Sequence, residues 1–384
     1  MKIILPGLDG TRTTYRLVGD PLPARKPKHP FSRVAFAAAH VVADPFSNAD
    51  PSGRPAIDWH GTLAYRRHLL DLGFGIAEAM DTSQRGMGLD WPTALELIRH
   101  SLAHAGKRVS LIYSGCGTDQ LAPGSARSLD DVVKAYHEQL HAIQKLGGRI
   151  ILMASRALVK VAKSPDDYVS VYRRVLAEAD HPVILHWLGE MFDPALKGYW
   201  GADHFAQTME TALRVIGENI SKVDGIKVSL LDDQKEVAMR RRLPAPVKMY
   251  TGDDFNYPSL IAGDDKGYSH ALLGIFDAIG PVASEALAAL GKGNMKKYNA
   301  LLQPTVPLSR LIFRTPTQYY KTGVVFLAWL NGHQDHFTMI GGAQALRPLP
   351  YFTEVFQLAD QARLLSEPEL AVKRMRQLLA VYGA

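Results

Sequence analysis

The chain has 384 residues, 47% hydrophobic and 21% charged, an ordinary globular composition that can build a sizeable core. Its net charge of +6 is small for this length and spread out, so nucleic-acid binding is not expected; the one dense run, Arg240–Arg242, suits a helix C-terminus. A single cysteine, Cys116, excludes an internal disulfide and a cysteine-based zinc site, and points to a reducing compartment. The opening MKIILPGLDGTRTT holds only a short apolar run before Pro6 and Gly7, too brief for a signal peptide. No stretch reaches the roughly 18 apolar residues of a membrane span, so a cytoplasmic protein with no membrane partner is expected.

Residues 1–32, with the basic, proline-rich PLPARKPKHP, read as an N-terminal extension. From residue 33 short β-rich or wholly apolar runs alternate with longer amphipathic segments. The runs are RVAFAAAHVV (33–42), GIAEAM (75–80), RVSLIY (108–113), RIILMA (149–154), PVILHW (182–187), GIKVSL (225–230), PVKMYT (246–251) and HALLGIF (270–276). Between them lie capped helical patterns. WPTALELIRHSLAHAG follows Asp90, LDDVVKAYHEQLHAIQKL closes on Gly147–Gly148, and SPDDYVSVYRRVLAEA starts at Ser164 with Pro165 behind it. Eight such alternations, with no G-x-G-x-x-G turn, predict an α/β fold: a (β/α)8 TIM barrel over residues 33–294. Residues 295–384, with YYKTGVVFLAWL, LPYFTEVFQLADQARLL and PELAVKRMRQLLAVYG, predict a C-terminal helical appendage.

Active sites of such barrels lie at the C-terminal ends of the strands. By these strand limits the polar groups there are His40; Asp81, Thr82 and Ser83; Tyr113 and Ser114; Ser155 and Arg156; His186; Lys227 and Ser229; Thr251, Asp253 and Asp254; and Asp277. Lys227 interrupts an otherwise apolar strand. Burial there disfavours the ammonium form, and a neutral amine can attack a carbonyl to give a Schiff base. The other reading is a lysine paired with an acid such as Asp232 or Asp253.

VDGIKVSLLD resembles the GIK-x-[ST]-x-x-D signature of the dihydrodipicolinate synthase / N-acetylneuraminate lyase superfamily, and KMYTGDDFNYPSLIAGDDKGYSHALLGIF resembles its GDD strand and eighth strand. HPVILHWLG takes the place of its P-[IV]-[IL]-[IL]-Y-N strand, and EAMDTSQRG that of its G-T-T-G-E turn. The resemblance implies that Lys227 is the Schiff-base lysine, that no metal or other cofactor is needed, and that the chain forms homo-oligomers, dimers or tetramers. It further implies that Thr82 and Ser83 hold the carboxylate of a 2-oxo acid. Ser229, Asp253 and Asp254 are further substrate-binding candidates by their places at the strand ends, and so are Arg85 and Arg156, which stand where the sequence departs from the family's Gly-Glu and second tyrosine.

The sequence also departs from the family. His186 stands where the family has its proton-relaying tyrosine, and histidine can do the same work near neutral pH. GEMFDP brings Glu190 where dihydrodipicolinate synthase has an arginine, which argues against a dicarboxylate substrate; Glu190 either accepts hydrogen bonds from sugar hydroxyls or lies on the surface. In an insertion around 194–205, Tyr199, Trp200 and His204 are candidates for a lid or a surface loop. The expected activity is a class I lyase or aldolase acting on a keto-sugar or sugar-derived 2-oxo acid. The alternatives are a metal-dependent barrel isomerase or hydrolase using His40, His186, Asp253, Asp254 and Glu190, and a non-catalytic sugar-binding barrel.

Overall fold

In the computed structural model, which describes residues 1–7 and 9–384, the chain begins with an antiparallel hairpin of β1 (Lys2–Pro6) and β2 (Arg12–Arg16). The eight apolar runs then supply β3 (Ala35–Ala38), β4 (Gly75–Glu78), β5 (Ile112–Cys116), β6 (Arg149–Leu152), β7 (Val183–Leu188), β8 (Val223–Ser229), β9 (Lys248–Thr251) and β10 (His270–Leu273). Each is parallel to the next, and β10 pairs back onto β3, so the sheet closes into a barrel with no free edge. The capped helical patterns form where the caps predict. Asp90 accepts from the Thr93 amide ahead of helix Trp91–Ala105, Ser128 and Asp131 box the start of Leu129–Lys145, and Pro165 opens Pro165–Ala177.

One strand is displaced from its sequence limits. RVSLIY was expected to carry the third barrel strand, but residues Gly106–Leu111 form a 3-10 helix and β5 starts at Ile112. Tyr113, expected at the active face, therefore sits at the opposite end, in register with Arg149 at the start of β6 and edge-on to Phe36 at 5.0 Å. Ser114 falls within the strand rather than at its end.

Side-chain alternation decides what faces the barrel axis. Phe36, Ala77, Tyr113, Ile151, Ile184, Tyr250 and Leu272 form one buried cluster inside the barrel, while their neighbours Leu185, Ile226, Val228, Met249 and Leu273 belong to the core shared with the helices. On β7 the inward parity of Ile184 continues to His186. On β8, Lys227 lies beside His186 in register and beside Tyr250 of β9. The lysine and the histidine thus point inward together.

The C-terminal segment is helical, its longer helices being Tyr320–Leu330, Leu349–Gln361 and Pro368–Val381. Every residue of Tyr320–Leu330 is buried. Leu349–Gln361 also moors the N-terminal hairpin, whose Ile3 and Leu5 are buried. The Asp360 carboxylate accepts from the Tyr15 hydroxyl at 2.8 Å and from the Val18 and Gly19 amides at 2.7 and 3.3 Å. Asp360→Ala strands these donors, and an expected loss of about 2 kcal/mol in urea unfolding, with faster proteolysis after residue 17, checks the mooring. Unchanged stability would show that apolar packing alone holds the hairpin.

The aromatic residues of the insertion around 194–205 do not form a lid, although Pro194–Leu196 line the cavity at the C-terminal face of the barrel. Tyr199 and Trp200 are buried behind the barrel in an aromatic cluster with Tyr168, Tyr172 and Trp187, and the Tyr199 hydroxyl meets that of Tyr172 at 2.8 Å. Only His204 remains exposed. The aromatic rings wedge β7 against helix Pro165–Ala177 instead of facing the cavity. No helix is long and apolar enough to cross a membrane among the described residues.

Candidate active site

A cavity of about 690 Å³ opens at the C-terminal face, between the loops that follow β4, β5, β6 and β7 and the start of helix Tyr320–Leu330. Its volume lies within the range of small-molecule sites. His186, Tyr320 and Lys321 line it while being only 2–3% exposed, so they mark its deep end, where Asp81 also lines the wall. Lys227, 4% exposed, is not on the wall itself; its register neighbour His186 is.

Lys227 makes no hydrogen bond or ion pair among the described residues, including with Asp232 and Asp253, the acids considered as its partners. Asp232 instead caps helix Asp233–Arg240, accepting from the Lys235 amide. Burial lowers the Lys227 pKa from its ordinary value, and the charges of Asp81 and Asp254 only partly restore it. Burial also pushes His186 well below the usual imidazole range, and the Lys227 charge adds to this. At neutral pH His186 is therefore uncharged, with Nε2 3.2 Å from the Ser229 hydroxyl. Burial raises Asp254 to about 8, and its Oδ1 accepts from the Ile275 amide. Burial also works to raise Asp81, but Lys227, Lys321 and His186 together hold it below the usual carboxylate range. The deep end thus holds one firm carboxylate among amines and an imidazole that burial drives towards neutrality.

The candidates from sequence divide. Lys227, His186, Ser229 and Asp254 come together at the top of β7–β9. Thr82 joins them indirectly, its hydroxyl 2.6 Å from that of Tyr320. Ser83 does not: its hydroxyl donates to the Ala39 carbonyl at 2.9 Å, because the 3-10 turn Asp81–Ser83 rotates it away towards β3. Arg85 lines the cavity, but its guanidinium is clamped by Asp119 at 2.7 and 2.9 Å. Arg156 stands exposed at the rim, bonded to Asp193. Asp253 has the opposite parity to Asp254 and caps its own turn, accepting from the Phe255 and Asn256 amides at 2.8 and 3.0 Å. Glu190 is exposed and lies off the cavity wall. His40 is buried and paired with Asp277 at 3.0 Å. Among the described residues no group of three His, Cys, Asp or Glu side chains could hold a metal ion.

Tyr320 and Lys321 escaped the motif reading because they lie in the C-terminal helices. The available signal was a lysine near the start of the otherwise apolar YYKTGVVFLAWL.

The fold and cavity define a (β/α)8-barrel protein with a lysine-centred pocket at its C-terminal face. The chain belongs to the family described as "Protein of unknown function (DUF993)", whose profile matches residues 3–384. No curated protein sequence matches it. Solved structures of similar fold include YagE, a prophage protein of the dihydrodipicolinic acid synthase family from E. coli K12, in complex with pyruvate. It shares 15% identity at a TM-score of 0.66, over 87% of this chain and 99% of that one. The chloride-inhibited dihydrodipicolinate synthase from Acinetobacter baumannii, complexed with pyruvate, shares 17% at 0.64, over 86% and 99%. Dihydrodipicolinate synthase from Aquifex aeolicus shares 14% at 0.58, over 91% and 98%. The barrel and its C-terminal helices therefore have the dihydrodipicolinate synthase fold.

Proposed function

We propose that the protein is a class I lyase or aldolase that forms a Schiff base between Lys227 and a small carbonyl substrate, a keto-sugar or a sugar-derived 2-oxo acid. The observation that carries this reading is a buried, inward-facing lysine without a bonded partner, at the C-terminal end of the sixth barrel strand and beside a neutral histidine. The neutral amine adds to the carbonyl carbon, and the carbonyl oxygen takes up protons and leaves as water, giving an iminium. The adjacent C–C bond then breaks with its electron pair passing into the iminium. Protonation of the resulting enamine and hydrolysis return the amine. His186, steadied by Ser229, takes and returns the protons. The pyruvate complexes of structures with the same fold support a 2-oxo acid or its relatives as substrate. The cavity volume leaves room for more than three carbons, which supports the sugar-type reading.

The metal-dependent alternative loses its ligand set, since His40 is held by Asp277, Asp253 caps its own turn and Glu190 is exposed. With the aldolase reading go a cytoplasmic location and a homo-oligomeric state.

Borohydride reduction in the presence of pyruvate and a panel of keto-sugars, followed by peptide mass analysis, tests the proposal. An adduct on the Lys227 peptide supports it. The absence of an adduct with every carbonyl tried sinks it.

A further inference from the structure

The deep end of the cavity contains a second buried lysine. Lys321 lies in the first turn of helix Tyr320–Leu330, is 3% exposed, and lines the cavity wall. Among the described residues no carboxylate lies within ion-pair distance of its ammonium, and no hydrogen bond satisfies it; Asp81 acts on it only through its field. Leaving a buried charge without a partner is costly, so such a group needs a reason.

The other anion-binding groups nearby are already engaged. The Thr82 hydroxyl is bonded to Tyr320, and that of Ser83 to the Ala39 carbonyl. Asp119 clamps Arg85, and Asp193 holds Arg156 at the rim. Lys321 is also held in place. The preceding Tyr320 ring stacks on Phe313 at 4.3 Å, and the helix that follows is buried along its whole length.

We infer that Lys321 is the anion anchor of this site: it holds a carboxylate or phosphate of the carbonyl substrate while the carbonyl carbon is presented to Lys227. This rests on the Schiff-base reading of Lys227, and it assigns to the C-terminal helix the role that the Thr82–Ser83 pair was expected to fill. A lysine suits it, being a compact point charge that can meet either anion. Burial lowers its pKa to about 8, so the ammonium form still prevails at neutral pH.

The test uses the full-length protein and three probes: pyruvate, dihydroxyacetone phosphate and the neutral hydroxyacetone. In Lys321→Met, the pyruvate or dihydroxyacetone phosphate concentration giving half-maximal borohydride labelling of Lys227 is expected to rise by about ten- to a hundredfold. The hydroxyacetone value stays unchanged, and Lys321→Arg recovers part of the loss. The anion that suffers more identifies the group recognised. Equal losses for charged and neutral probes, or label on Lys321 itself, would overturn the assignment.

A second arm needs no imine. In Lys227→Ala, titration calorimetry with lactate and glycerol 3-phosphate should show binding that disappears when Lys321→Met is added. Anions that bind equally well without Lys321, or that do not bind at all, overturn the anchor whether or not an adduct is ever trapped. The melting temperature of Lys321→Met gives a further check, because losing an unpaired buried charge should leave it unchanged or raise it. A large fall would assign Lys321 a structural role instead.

Discussion

Lys227→Ala is expected to abolish borohydride trapping and to reduce turnover by about a thousandfold or more, since the amine that forms the covalent electron sink is lost. Lys227→Met should behave identically while keeping the packing of the side-chain stem, which separates lost chemistry from lost fold. The variants should be no less able to bind non-covalent anions, because the groups at the deep end remain. In the wild-type protein the pH dependence of labelling follows from the same lysine. Only the neutral amine attacks, so the rate rises with pH and levels off above the lysine's pKa. Burial lowers that pKa from the ordinary 10.5, so the plateau comes earlier than for a surface lysine. Asp81 opposes this lowering, so Asp81→Asn should move the rising limb to still lower pH. A limb that stays at the ordinary lysine value, or labelling that survives Lys227→Ala, would remove Lys227 from the role of nucleophile.

The barrel was legible because parallel strands buried on both faces must be apolar, and eight such runs recur with capped helices between them. The exception, β5, has a physical reason. Its upper half is Ser114–Gly115–Cys116, small residues set where a Cβ at Gly115 would lie 2.8 Å from the Ala79 carbonyl, so the apolar signal fades where the strand continues. Lys227 stood out for the opposite reason, as a charge where the pattern demands none. Period-two alternation from Tyr250, the inward β9 residue beside Lys227, separates Asp254 from Asp253, a distinction that the GDD motif by itself hides. What sequence order could not supply was the return of the C-terminal helix to the mouth of the barrel. That contact brings Tyr320 onto Thr82 and carries Lys321 into the cavity, and it depends on packing between segments far apart in the chain. The aromatic residues of the insertion failed as a lid for a related reason. Composition alone does not distinguish rings that cover a ligand from rings that wedge a strand against a helix.

Gly252→Ala should damage the site from a position that touches no substrate. Gly252 follows β9, and its amide donates to the Val228 carbonyl at 2.9 Å, which fixes its backbone against β8. A Cβ built there would lie 2.7 Å from Lys227 Cε and 2.9 Å from the Val228 carbonyl oxygen, and closer still to Ser229 Oγ. The backbone on both sides is held by barrel pairing, so the side chains must yield. Lys227 would be pushed off its path, and Ser229 would move with its bond to His186, so nucleophile and proton relay are displaced by one methyl group. Overpacking of this kind costs about 1–3 kcal/mol of stability. A displacement on the order of 1 Å at the reacting amine costs about a hundredfold in rate. Slower Lys227 labelling together with a lower melting temperature is therefore expected. Gly217→Ala serves as the control: it lies in helix Phe205–Glu218 with nothing within 4 Å of its added Cβ, and it should leave labelling unaltered. If Gly252→Ala labels as fast as the wild type, Lys227 reaches its substrate by a route that does not pass Gly252, and the path of the lysine inferred from the barrel register would be wrong.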